Sequence, residues 1–350
     1  MKISVIGAGS WGTAIAAHLS RRGHDVRLWA REKEVAEGIN QQRRNPLYLK
    51  DIELPPHIAA EGDMARSLEG AETVVLAVPS RWTREVAREM QECLPEKAPL
   101  INLAKGFDYT TGKRLSVSIG EETSRKDAGL AVLSGPNHAE EVIRMVPSAT
   151  VIASPDRELS SRLQEAFSSP YFRVYSNADM IGVEVGGAYK NVIAIAAGML
   201  DGLGLGDNTK ASLITRGLAE MARFGSAMGA NPITFSGLSG VGDLMVTCIS
   251  RHSRNRGFGK RLGEGGRPEE ILRETKMVVE GVYTTRSVIR TALEMEVDIP
   301  IARGVYAVLE EEARPDEMAE RLMTRSLKEE TEEDLYRDFL LADSRRRSTE

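Results

Sequence analysis

The chain has 350 residues, which is enough for two domains of ordinary size. Its 46 Lys and Arg residues against 51 Asp and Glu residues give a formal net charge of −5, which argues against a general nucleic-acid-binding protein. Hydrophobic residues make up 41% and charged residues 28%, so the chain can bury a sizeable core. Cys93 and Cys248 form no CxxC pair and no two histidines stand at i,i+4, so we expect neither a disulfide framework nor a metal site.

Two apolar stretches resemble membrane or targeting segments. Residues 181–200 contain Glu184, Lys190 and Asn191, and so fall short of the roughly 18–20 uncharged apolar residues that cross a bilayer. The apolar amino terminus imitates a signal peptide, but three glycines and a serine within its first twelve residues interrupt it. We therefore expect no membrane insertion and a cytoplasmic location.

The first half of the chain alternates short apolar runs with helical segments. Apolar runs without alternation are typical of parallel strands covered on both faces. The predicted strands are Lys2–Ile6, Asp25–Trp29, Thr73–Val78, Leu100–Leu103, Leu130–Leu133, Thr150–Ala153 and Phe172–Tyr175, and helices between them are Gly12–Arg22, Arg81–Cys93 and Asp156–Phe167. This order predicts an α/β fold with a doubly wound, mostly parallel sheet.

After Ser176 the strand signal disappears and helical patterns follow. The predicted helices are Asp179–Leu203, Thr209–Met228, Leu244–Ser250, Arg267–Thr275, Thr284–Met295, Ile301–Glu311 and Asp316–Met323. We predict a dinucleotide-binding domain over residues 1–178, an all-α substrate domain over 179–340 and a frayed tail over 341–350.

The charge is unevenly placed along the chain. Residues 310–338 hold twelve acidic and five basic side chains, a net −7, which leaves +2 for the rest of the chain. We expect this acidic segment to form a solvated face or a helix near the tail. By contrast, residues 251–267 hold six Lys and Arg residues and one acid, in a glycine-rich context.

A GxGxxG motif spans Gly7, Gly9 and Gly12, follows the first predicted strand and opens a helix. In this context Gly7 permits a tight turn, Gly9 lets the backbone approach a pyrophosphate, and Gly12 allows close packing of helix and strand. The amino terminus of the helix then supplies N–H groups and a positive dipole end to the anion. The motif predicts a Rossmann-type amino-terminal domain that binds a dinucleotide.

Arg31 follows the second predicted strand, where the residue type discriminates between the two nicotinamide dinucleotides. An acidic residue there bonds the ribose 2′-hydroxyl of NAD, whereas an arginine accommodates the 2′-phosphate of NADP. Arg31 favours NADP, although the adjacent Glu32 weakens the preference. The alternative is that Arg31 is simply a solvent-exposed residue at the start of a helix.

Polar residues follow two further predicted strands, at the sheet edge where open α/β sheets bind ligands. Lys105 follows one strand, and Gly135 and Asn137 follow another, just before a helix that begins at Ala139. These positions suit contacts to a cofactor or to an anionic substrate. Lys105 could equally be an ordinary loop lysine, and Asn137 could be a helix N-cap.

Lys190 lies in a helix so apolar that most of its circumference must be buried. A lysine buried in this way is a usable proton donor and acceptor, because desolvation disfavours its charged form. Asp243 follows a glycine-rich segment and could orient such an ammonium. The alternatives are that Lys190 reaches the surface along its alkyl chain and that Asp243 caps a helix.

Ser253, Arg254 and Asn255 stand together inside the cationic segment. Arginine offers a bidentate donor pair to a phosphate, and asparagine adds a neutral donor. The alternative is a solvated basic loop without a ligand.

Taken together, these motifs resemble the NAD(P)-dependent glycerol-3-phosphate dehydrogenases of bacteria. The motifs occur in family order over nearly the whole chain: Gly7–Ala16, Asn102–Gly106, Ser134–Glu141, Val185–Gly198, Leu238–Cys248, Ser250–Gly259 and Val278–Gly281. The resemblance implies the reversible reduction of dihydroxyacetone phosphate to sn-glycerol 3-phosphate, the precursor of the phospholipid backbone. It also implies NADP or NAD as the cofactor, a small phosphorylated substrate and a homodimer.

The resemblance further assigns roles to individual residues. It implies that Lys190 is the proton donor and acceptor at the substrate oxygen, with Asp243 beside it and Asn191 and Thr247 as helpers. The implied substrate contacts are Lys105, Gly135, Asn137, Ser253, Arg254 and Asn255, and the implied dinucleotide contacts are Ser10, Trp11, Arg31, Lys105, Ala139, Arg254, Val278 and Glu280. At Asn137 the family often has a smaller residue such as serine, so the contact made there differs in reach.

Two other functions share part of this pattern. A hydroxyacid or ketopantoate-type reductase would also have the glycine motif and a helical lysine, but would not need the phosphate-binding residues around Arg254. A non-catalytic sensor of NADP(H) would keep the glycine motif but would not need Lys190 and Asp243.

Overall fold

The computed structural model describes residues 1–125, 129–275 and 278–330, and the chain divides into two compact units. The first unit contains residues 1–108 and 113–180, and the second contains Tyr109–Gly112 and the chain from Ile181 onward. The predicted frayed tail, residues 341–350, lies outside the described residues, as does the carboxyl-terminal end of the acidic segment.

An eight-stranded sheet forms the centre of the first unit. Its strands are β1 Lys2–Ile6, β2 Asp25–Trp29, β3 Ile58–Glu61, β4 Thr73–Leu76, β5 Leu100–Asn102, β6 Leu130–Ser134, β7 Ser148–Ala153 and β8 Phe172–Asn177. They lie in the order β3-β2-β1-β4-β5-β6-β7-β8, and every pair of neighbours is parallel except β6 and β7. The predicted α/β fold with a mostly parallel, Rossmann-type sheet is confirmed, whereas β3 was not predicted.

The register of the sheet brings the loops that carry the sequence motifs to one edge. Ile6 at the end of β1 pairs with Trp29 at the end of β2 and with Leu76 at the end of β4. Leu76 in turn pairs with Asn102 at the end of β5. Because these parallel strands end level with one another, the loops that follow them lie side by side at their carboxyl ends.

The chain segments that connect the strands form helices, which cover the sheet. They are α1 Ser10–Arg21, α2 Lys33–Gln42, α3 Met64–Leu68, α4 Ser80–Met90, α5 Leu115–Thr123, α6 Ala139–Val142 and α7 Arg157–Phe167, with a 3₁₀ turn at Gln91–Cys93. The core of this unit joins the inner faces of these helices to the strands; Ile15 and Leu19 of α1 are buried with Val5 and Leu28 of the sheet.

In the described residues of the second unit, all regular secondary structure is helical. Its helices are α8 Met180–Gly202, α9 Asp207–Ala227, α10 Asp243–Ile249, α11 Arg254–Gly263, α12 Pro268–Glu274, α13 Glu280–Glu294, α14 Pro300–Glu310 and α15 Pro315–Met323, with a 3₁₀ turn at Pro232–Ser236 and a π-helical turn at Leu238–Gly242. Residues 251–267 were not predicted to contain a helix, yet α11 occupies most of them.

Helix α8 is the central helix of this unit. Contrary to the sequence prediction, it is long and apolar enough to cross a membrane by length and composition, but 94% of its most apolar window is buried inside the folded chain. Such burial is expected of a core helix.

Glycines let α8 and α11 approach each other closely. A Cβ atom at Gly198 of α8 would lie 2.1 Å from the carbonyl oxygen of Arg256, and one at Gly259 of α11 would lie 2.0 Å from that of Ile195. Both distances are far below any real contact, so only glycine fits at these positions. The close packing places the start of α11, where Arg254 and Asn255 lie, against α8.

Candidate active site

The glycine motif forms a loop between β1 and α1 that can accept a pyrophosphate. Gly7 has φ of +113°, which a residue with a side chain rarely adopts, and its N–H donates to the Trp29 carbonyl over 3.1 Å. A Cβ atom at Gly12 would lie 1.9 Å from the Gly7 oxygen, whereas one at Gly9 would meet nothing within 4 Å. Gly9 is also the N-cap of α1 and no side chain caps that helix. The open space therefore lies where a helix amino terminus attracts an anion.

Asn45 holds this loop in place, and sequence reasoning missed it. The side chain is fully buried, and its Nδ2 donates to the Ala8 carbonyl and to Thr13 Oγ1, each over 2.8 Å. Its Oδ1 accepts the backbone N–H groups of Leu47 and Tyr48. The Ala8 carbonyl oxygen therefore already accepts a hydrogen bond from within the protein. In the sequence, Asn45 followed by a proline resembles an ordinary turn, so no signal marked it.

Ser10 and Arg31, both predicted dinucleotide contacts, lie near the same loop. Ser10 Oγ donates to the Tyr48 carbonyl over 3.3 Å. The side chain of Arg31 is 71% exposed just beyond β2, and its Nη2 lies 3.7 Å from Glu32 Oε1. The position suits a 2′-phosphate reader, and the high exposure is equally compatible with a solvated residue.

Trp11 and Ala139 are the other predicted dinucleotide contacts in the first unit. Trp11 is half-buried, and its Nε1 is enclosed without a hydrogen-bond partner in the described structure. Ala139 begins α6, as predicted.

Lys105, Gly135 and Asn137 come together at the carboxyl ends of β5 and β6. Lys105 Nζ donates to the Gly135 carbonyl over 2.9 Å and to Asn137 Oδ1 over 2.8 Å. Asn137 is buried, and its Nδ2 donates to Thr150 Oγ1 over 3.1 Å. The alternative that Asn137 caps a helix is wrong, because His138 is the N-cap of α6 and no side chain caps it. The three residues form one polar cluster with the lysine ammonium at its centre.

Lys190 forms a buried ion pair in the second unit. Lys190 is only 5% exposed, and its Nζ donates to Asp243 Oδ1 over 2.6 Å and to Thr247 Oγ1 over 2.8 Å. Thr247 Oγ1 in turn donates to the Asp243 carbonyl over 2.6 Å. The alternative that Lys190 reaches the surface is wrong, and so is the capping role for Asp243, because Gly242 is the N-cap of α10 and no side chain caps it.

The local fold explains this pairing. A π-helical turn over Leu238–Gly242 runs directly into α10, so Asp243 starts that helix with its carboxylate aimed at α8. π-Helical turns are rare and are frequent at functional sites. Desolvation alone would disfavour the buried ammonium, whereas the adjacent carboxylate and hydroxyl stabilise it. The result is an oriented ammonium inside an apolar helix bundle.

Asn191, Asn255 and the start of α13 are joined by a second polar contact beside Lys190. Asn255 Nδ2 donates to Asn191 Oδ1 over 2.9 Å, and Asn255 Oδ1 accepts the Gly281 N–H over 2.9 Å. Asn255 therefore connects α8, α11 and α13.

The remaining residues of the cationic segment have distinct roles. Ser253 caps α11, since its Oγ accepts the Arg256 N–H, and this accounts for its residue type without a ligand. Arg254 is exposed at the start of α11, and its Nη1 donates to the Val278 carbonyl over 3.1 Å. Glu280 is the first residue of α13. The alternative of a solvated loop is wrong, because Arg254 and Asn255 belong to a packed helix.

Neither a metal cluster nor a reactive thiol appears among the described residues. No group of three or more His, Cys, Asp or Glu side chains there could hold a metal ion. Cys248 is buried next to Thr247, and burial raises the pKa of its thiol to about 12, so the thiolate does not form at neutral pH.

Comparison with known proteins agrees with the geometry. The sequence profile of the NAD-dependent glycerol-3-phosphate dehydrogenase amino terminus matches residues 2–160, and that of the carboxyl terminus matches residues 179–320. The chain is 48% identical over 332 residues to glycerol-3-phosphate dehydrogenase [NAD(P)+] of Geobacillus kaustophilus, covering 95% of this chain and 96% of that one. It is 49% identical over 338 residues to the enzyme of the same name from Pelotomaculum thermopropionicum, covering 95% of each.

Solved structures give the same result. The crystal structure of glycerol-3-phosphate dehydrogenase from Coxiella burnetii superposes with a TM-score of 0.88 at 38% identity, covering 93% of this chain and 99% of that one. A ketopantoate reductase from Ralstonia eutropha reaches a TM-score of 0.60 at 16% identity, which shows a shared fold alone. The resemblance seen in the sequence motifs is confirmed, and the chain belongs to the NAD-dependent glycerol-3-phosphate dehydrogenase family.

Proposed function

We propose that this chain catalyses the reversible reduction of dihydroxyacetone phosphate to sn-glycerol 3-phosphate with a nicotinamide dinucleotide. The observation that carries the proposal is the buried Lys190–Asp243 ion pair, which holds a proton donor in place in a chain of this family. The curated relatives bear the name of this activity, with NAD(P)+ as the cofactor.

The loop from Gly7 to Gly12 fits the dinucleotide. Its open side at Gly9 leaves room for a pyrophosphate at the amino terminus of α1, and Asn45 keeps the Ala8 carbonyl bonded within the protein. When bound, the dinucleotide supplies the hydride for reduction and accepts it in the reverse direction. The protein contributes binding and orientation.

Two basic residues suit the phosphorylated substrate. Arg254 can present two parallel N–H donors to a phosphate, which gives geometric specificity as well as charge. Lys105 carries a second positive charge, already oriented by Gly135 and Asn137. Binding energy from the phosphate, which does not react, can align the C2 carbonyl for reaction.

Lys190 handles the proton. In reduction the C2 carbon gains a hydride, and negative charge develops on the carbonyl oxygen as its π bond breaks. The Lys190 ammonium stabilises that charge and transfers a proton to the oxygen, and in oxidation the neutral amine takes the proton back. Asp243 and Thr247 hold Nζ in one direction, so little reorientation is needed during the reaction.

Arg31 supports NADPH as the preferred cofactor, because an arginine at this position accommodates the 2′-phosphate. Arg31→Ala should therefore raise the KM for NADPH more than the KM for NADH, and equal effects on both would contradict the role of Arg31 in binding the 2′-phosphate.

The family resemblance supports a cytoplasmic homodimer that supplies glycerol 3-phosphate for phospholipid synthesis. Light scattering should give twice the mass of one chain, and a monomer would contradict the assembly.

Lys190→Met tests the catalytic assignment. The substitution keeps most of the side-chain length and removes the proton, so kcat for dihydroxyacetone phosphate reduction should fall by about 10²- to 10⁴-fold while the Kd for NADPH is unchanged. Because the substitution leaves Asp243 buried without its cation, Lys190→Arg serves as a second variant that keeps the charge. Turnover near the wild-type rate in folded Lys190→Met protein would contradict the assignment.

A further inference from the structure

Three consecutive residues of α8 each form a polar contact with a different helix. Successive side chains of an α-helix point about 100° apart around the axis. The Tyr189 hydroxyl donates to Glu220 of α9 over 2.8 Å. Lys190 contacts Asp243 of α10, and Asn191 contacts Asn255 of α11. The mechanism uses the second contact and the substrate site uses the third, but the first has no role in either.

Glu220 is an unusual residue for the core of a helical unit. It is 1% exposed, and its carboxylate accepts the Ile301 N–H over 2.7 Å and the Ala302 N–H over 2.8 Å at the start of α14. Pro300, the first residue of α14, has no N–H, so the carboxylate binds the first two donors that this helix offers. Burial raises the pKa of Glu220 to about 7 in spite of these bonds, because desolvation disfavours the charged carboxylate.

The Tyr189 hydroxyl ties α8 to this point. The Tyr189 ring is completely buried, and its centroid lies 5.2 Å from the centroid of the Phe224 ring. This aromatic packing does not depend on the hydroxyl. The hydroxyl adds a directional contact, because it donates to Glu220 Oε1. That oxygen is already held in place by the Ala302 N–H at the start of α14. The contact therefore fixes the rotation of α8 about its own axis at the residue before Lys190.

Rotation of α8 matters for the proton donor. An extended lysine places Nζ roughly 8 Å from the helix axis, so a turn of about 10° would move it by about 1.4 Å. Misplacement of a catalytic group by about 1 Å can cost about 10²-fold in rate. A contact that limits rotation at Tyr189 thus bears directly on the distance from Nζ to the reacting oxygen.

We propose that the Tyr189–Glu220 hydrogen bond, anchored at the start of α14, is a positioning device that aims Lys190. Tyr189 and Glu220 act through Lys190 and do not touch substrate. The inference rests on the proposed function, since Lys190 matters in this way only if it serves as the proton donor.

Tyr189→Phe tests the inference, because it removes the hydroxyl and leaves the ring. The kcat for dihydroxyacetone phosphate reduction should fall about tenfold, while the KM for that substrate stays within twofold because Arg254 and Asn255 are untouched. Val305→Ala is the matched control, since Val305 is buried in α14 and its truncation removes apolar packing while the Tyr189 hydroxyl, Glu220 and the Ile301 and Ala302 N–H donors all remain. Val305→Ala should lower the Tm while kcat stays within twofold.

A second readout does not depend on turnover. The ¹⁵Nζ resonance of Lys190, assigned by its loss in Lys190→Arg, should shift in Tyr189→Phe and stay in place in Val305→Ala. An unchanged kcat and an unchanged resonance in Tyr189→Phe would overturn the inference, as would an equal loss of kcat in Val305→Ala. If the wild-type protein does not reduce dihydroxyacetone phosphate, the proposed function fails, and the resonance still decides whether Tyr189 positions Lys190.

Discussion

The buried amide of Asn45 and the three glycines of the motif together determine the shape of the dinucleotide loop. The glycines provide the turn and the open space, and their spacing made the loop predictable from the sequence. Asn45 satisfies the Ala8 carbonyl from a distant part of the chain, and only the folded structure brings the two together. Thr13 Oγ1 also donates to the Ala8 carbonyl over 3.2 Å, so this oxygen accepts two side-chain hydrogen bonds that keep it from turning toward the phosphates.

Asn45→Asp should weaken NADPH binding. The substitution keeps the shape and the two accepted N–H bonds, but it replaces the donor to Ala8 and Thr13 with a carboxylate oxygen. A negative charge close to the pyrophosphate site should raise the Kd for NADPH by about tenfold or more, since two like charges about 8 Å apart repel by about 2 kcal/mol at an effective dielectric constant of about 20. Fluorescence titration with NADPH measures the change.

Asn40→Asp is the control for that experiment. Asn40 also bridges backbone groups, donating to the Ala60 carbonyl over 2.8 Å and accepting the Ala60 N–H over 2.9 Å, but it ties α2 to β3 and not to the glycine loop. It should lower stability and leave the Kd within twofold. An Asn45→Asp protein that binds NADPH as tightly as Asn40→Asp would show that the amide does not shape the loop.

Lys190, the proposed proton donor, was more accessible to prediction than its neighbours. The apolar sequence around Lys190 predicted its burial, and the structure confirms it. Which carboxylate it meets depends on how α10 packs against α8, and spacing along the chain holds no such information. For the same reason the capping role of Ser253 was not anticipated: it depends on a helix that the sequence did not predict.

Among the elements, α11 shows best why the sequence prediction was incomplete. Its three glycines are unfavourable for an isolated helix, and Arg256 and Lys260 place like charges at i,i+4, so the sequence indicates a cationic segment and no helix is predicted there. Packing against α8 overrides that preference, and the glycines are what make the packing possible. Strand β3, which has the sequence Ile-Ala-Ala-Glu, was missed because it is short and lies at the edge of the sheet.

Gly259→Ala tests whether this close approach builds the substrate site. Its Cβ would lie 2.0 Å from the Ile195 carbonyl oxygen, so α11 must move away from α8. The free energy of unfolding should fall by about 1–3 kcal/mol, as is typical of an overpacked contact. The KM for dihydroxyacetone phosphate should rise as well, because Arg254 and Asn255 move with the helix.

Gly257→Ala is the matched control on the same helix. A Cβ there meets nothing within 4 Å, and alanine is favoured over glycine in a helix by about 1 kcal/mol. The control should therefore be as stable as the wild type or more so, with an unchanged KM. If both variants behave alike, the contact between α8 and α11 does not build the site.

At the scale of the whole molecule, the acidic charge and the chemistry lie in different places. Helix α15, in the described part of the acidic segment, has no buried residue, in agreement with the predicted solvated face. The basic residues assigned to anions, such as Lys105 and Arg254, lie in the part of the chain with a net positive charge. The whole-chain value of −5 thus describes solubility and says little about the site.

The stability of the folded chain should depend on pH through His18. This side chain is buried in α1 with Nε2 2.7 Å from the Phe167 carbonyl, and burial lowers its pKa from 6.5 to about 4. Between these values the unfolded chain binds the proton and the folded chain does not, so stability decreases as the pH falls from 6.5 toward 4. At pH 5 the loss from this group should be about 2 kcal/mol relative to pH 8.

His18→Gln isolates this contribution, because glutamine cannot titrate and can still donate to the Phe167 carbonyl. Glu220 works in the opposite direction: burial raises its pKa from 4.5 to about 7, so its share of stability is present at low pH and decreases as the pH rises from 4.5 to 7. The comparison is therefore the difference in unfolding free energy between wild type and His18→Gln at pH 8 and pH 5. A difference that does not change with pH would contradict the assignment.

The most direct test of the central claim is the rate of NADPH oxidation, followed by absorbance, with each of three carbonyl substrates. We expect rapid oxidation with dihydroxyacetone phosphate, a kcat/KM lower by at least about 10³-fold with unphosphorylated dihydroxyacetone because the bonds to the phosphate are lost, and no reaction with ketopantoate. Absence of turnover with dihydroxyacetone phosphate, or an equal kcat/KM with either of the other substrates, would contradict the account.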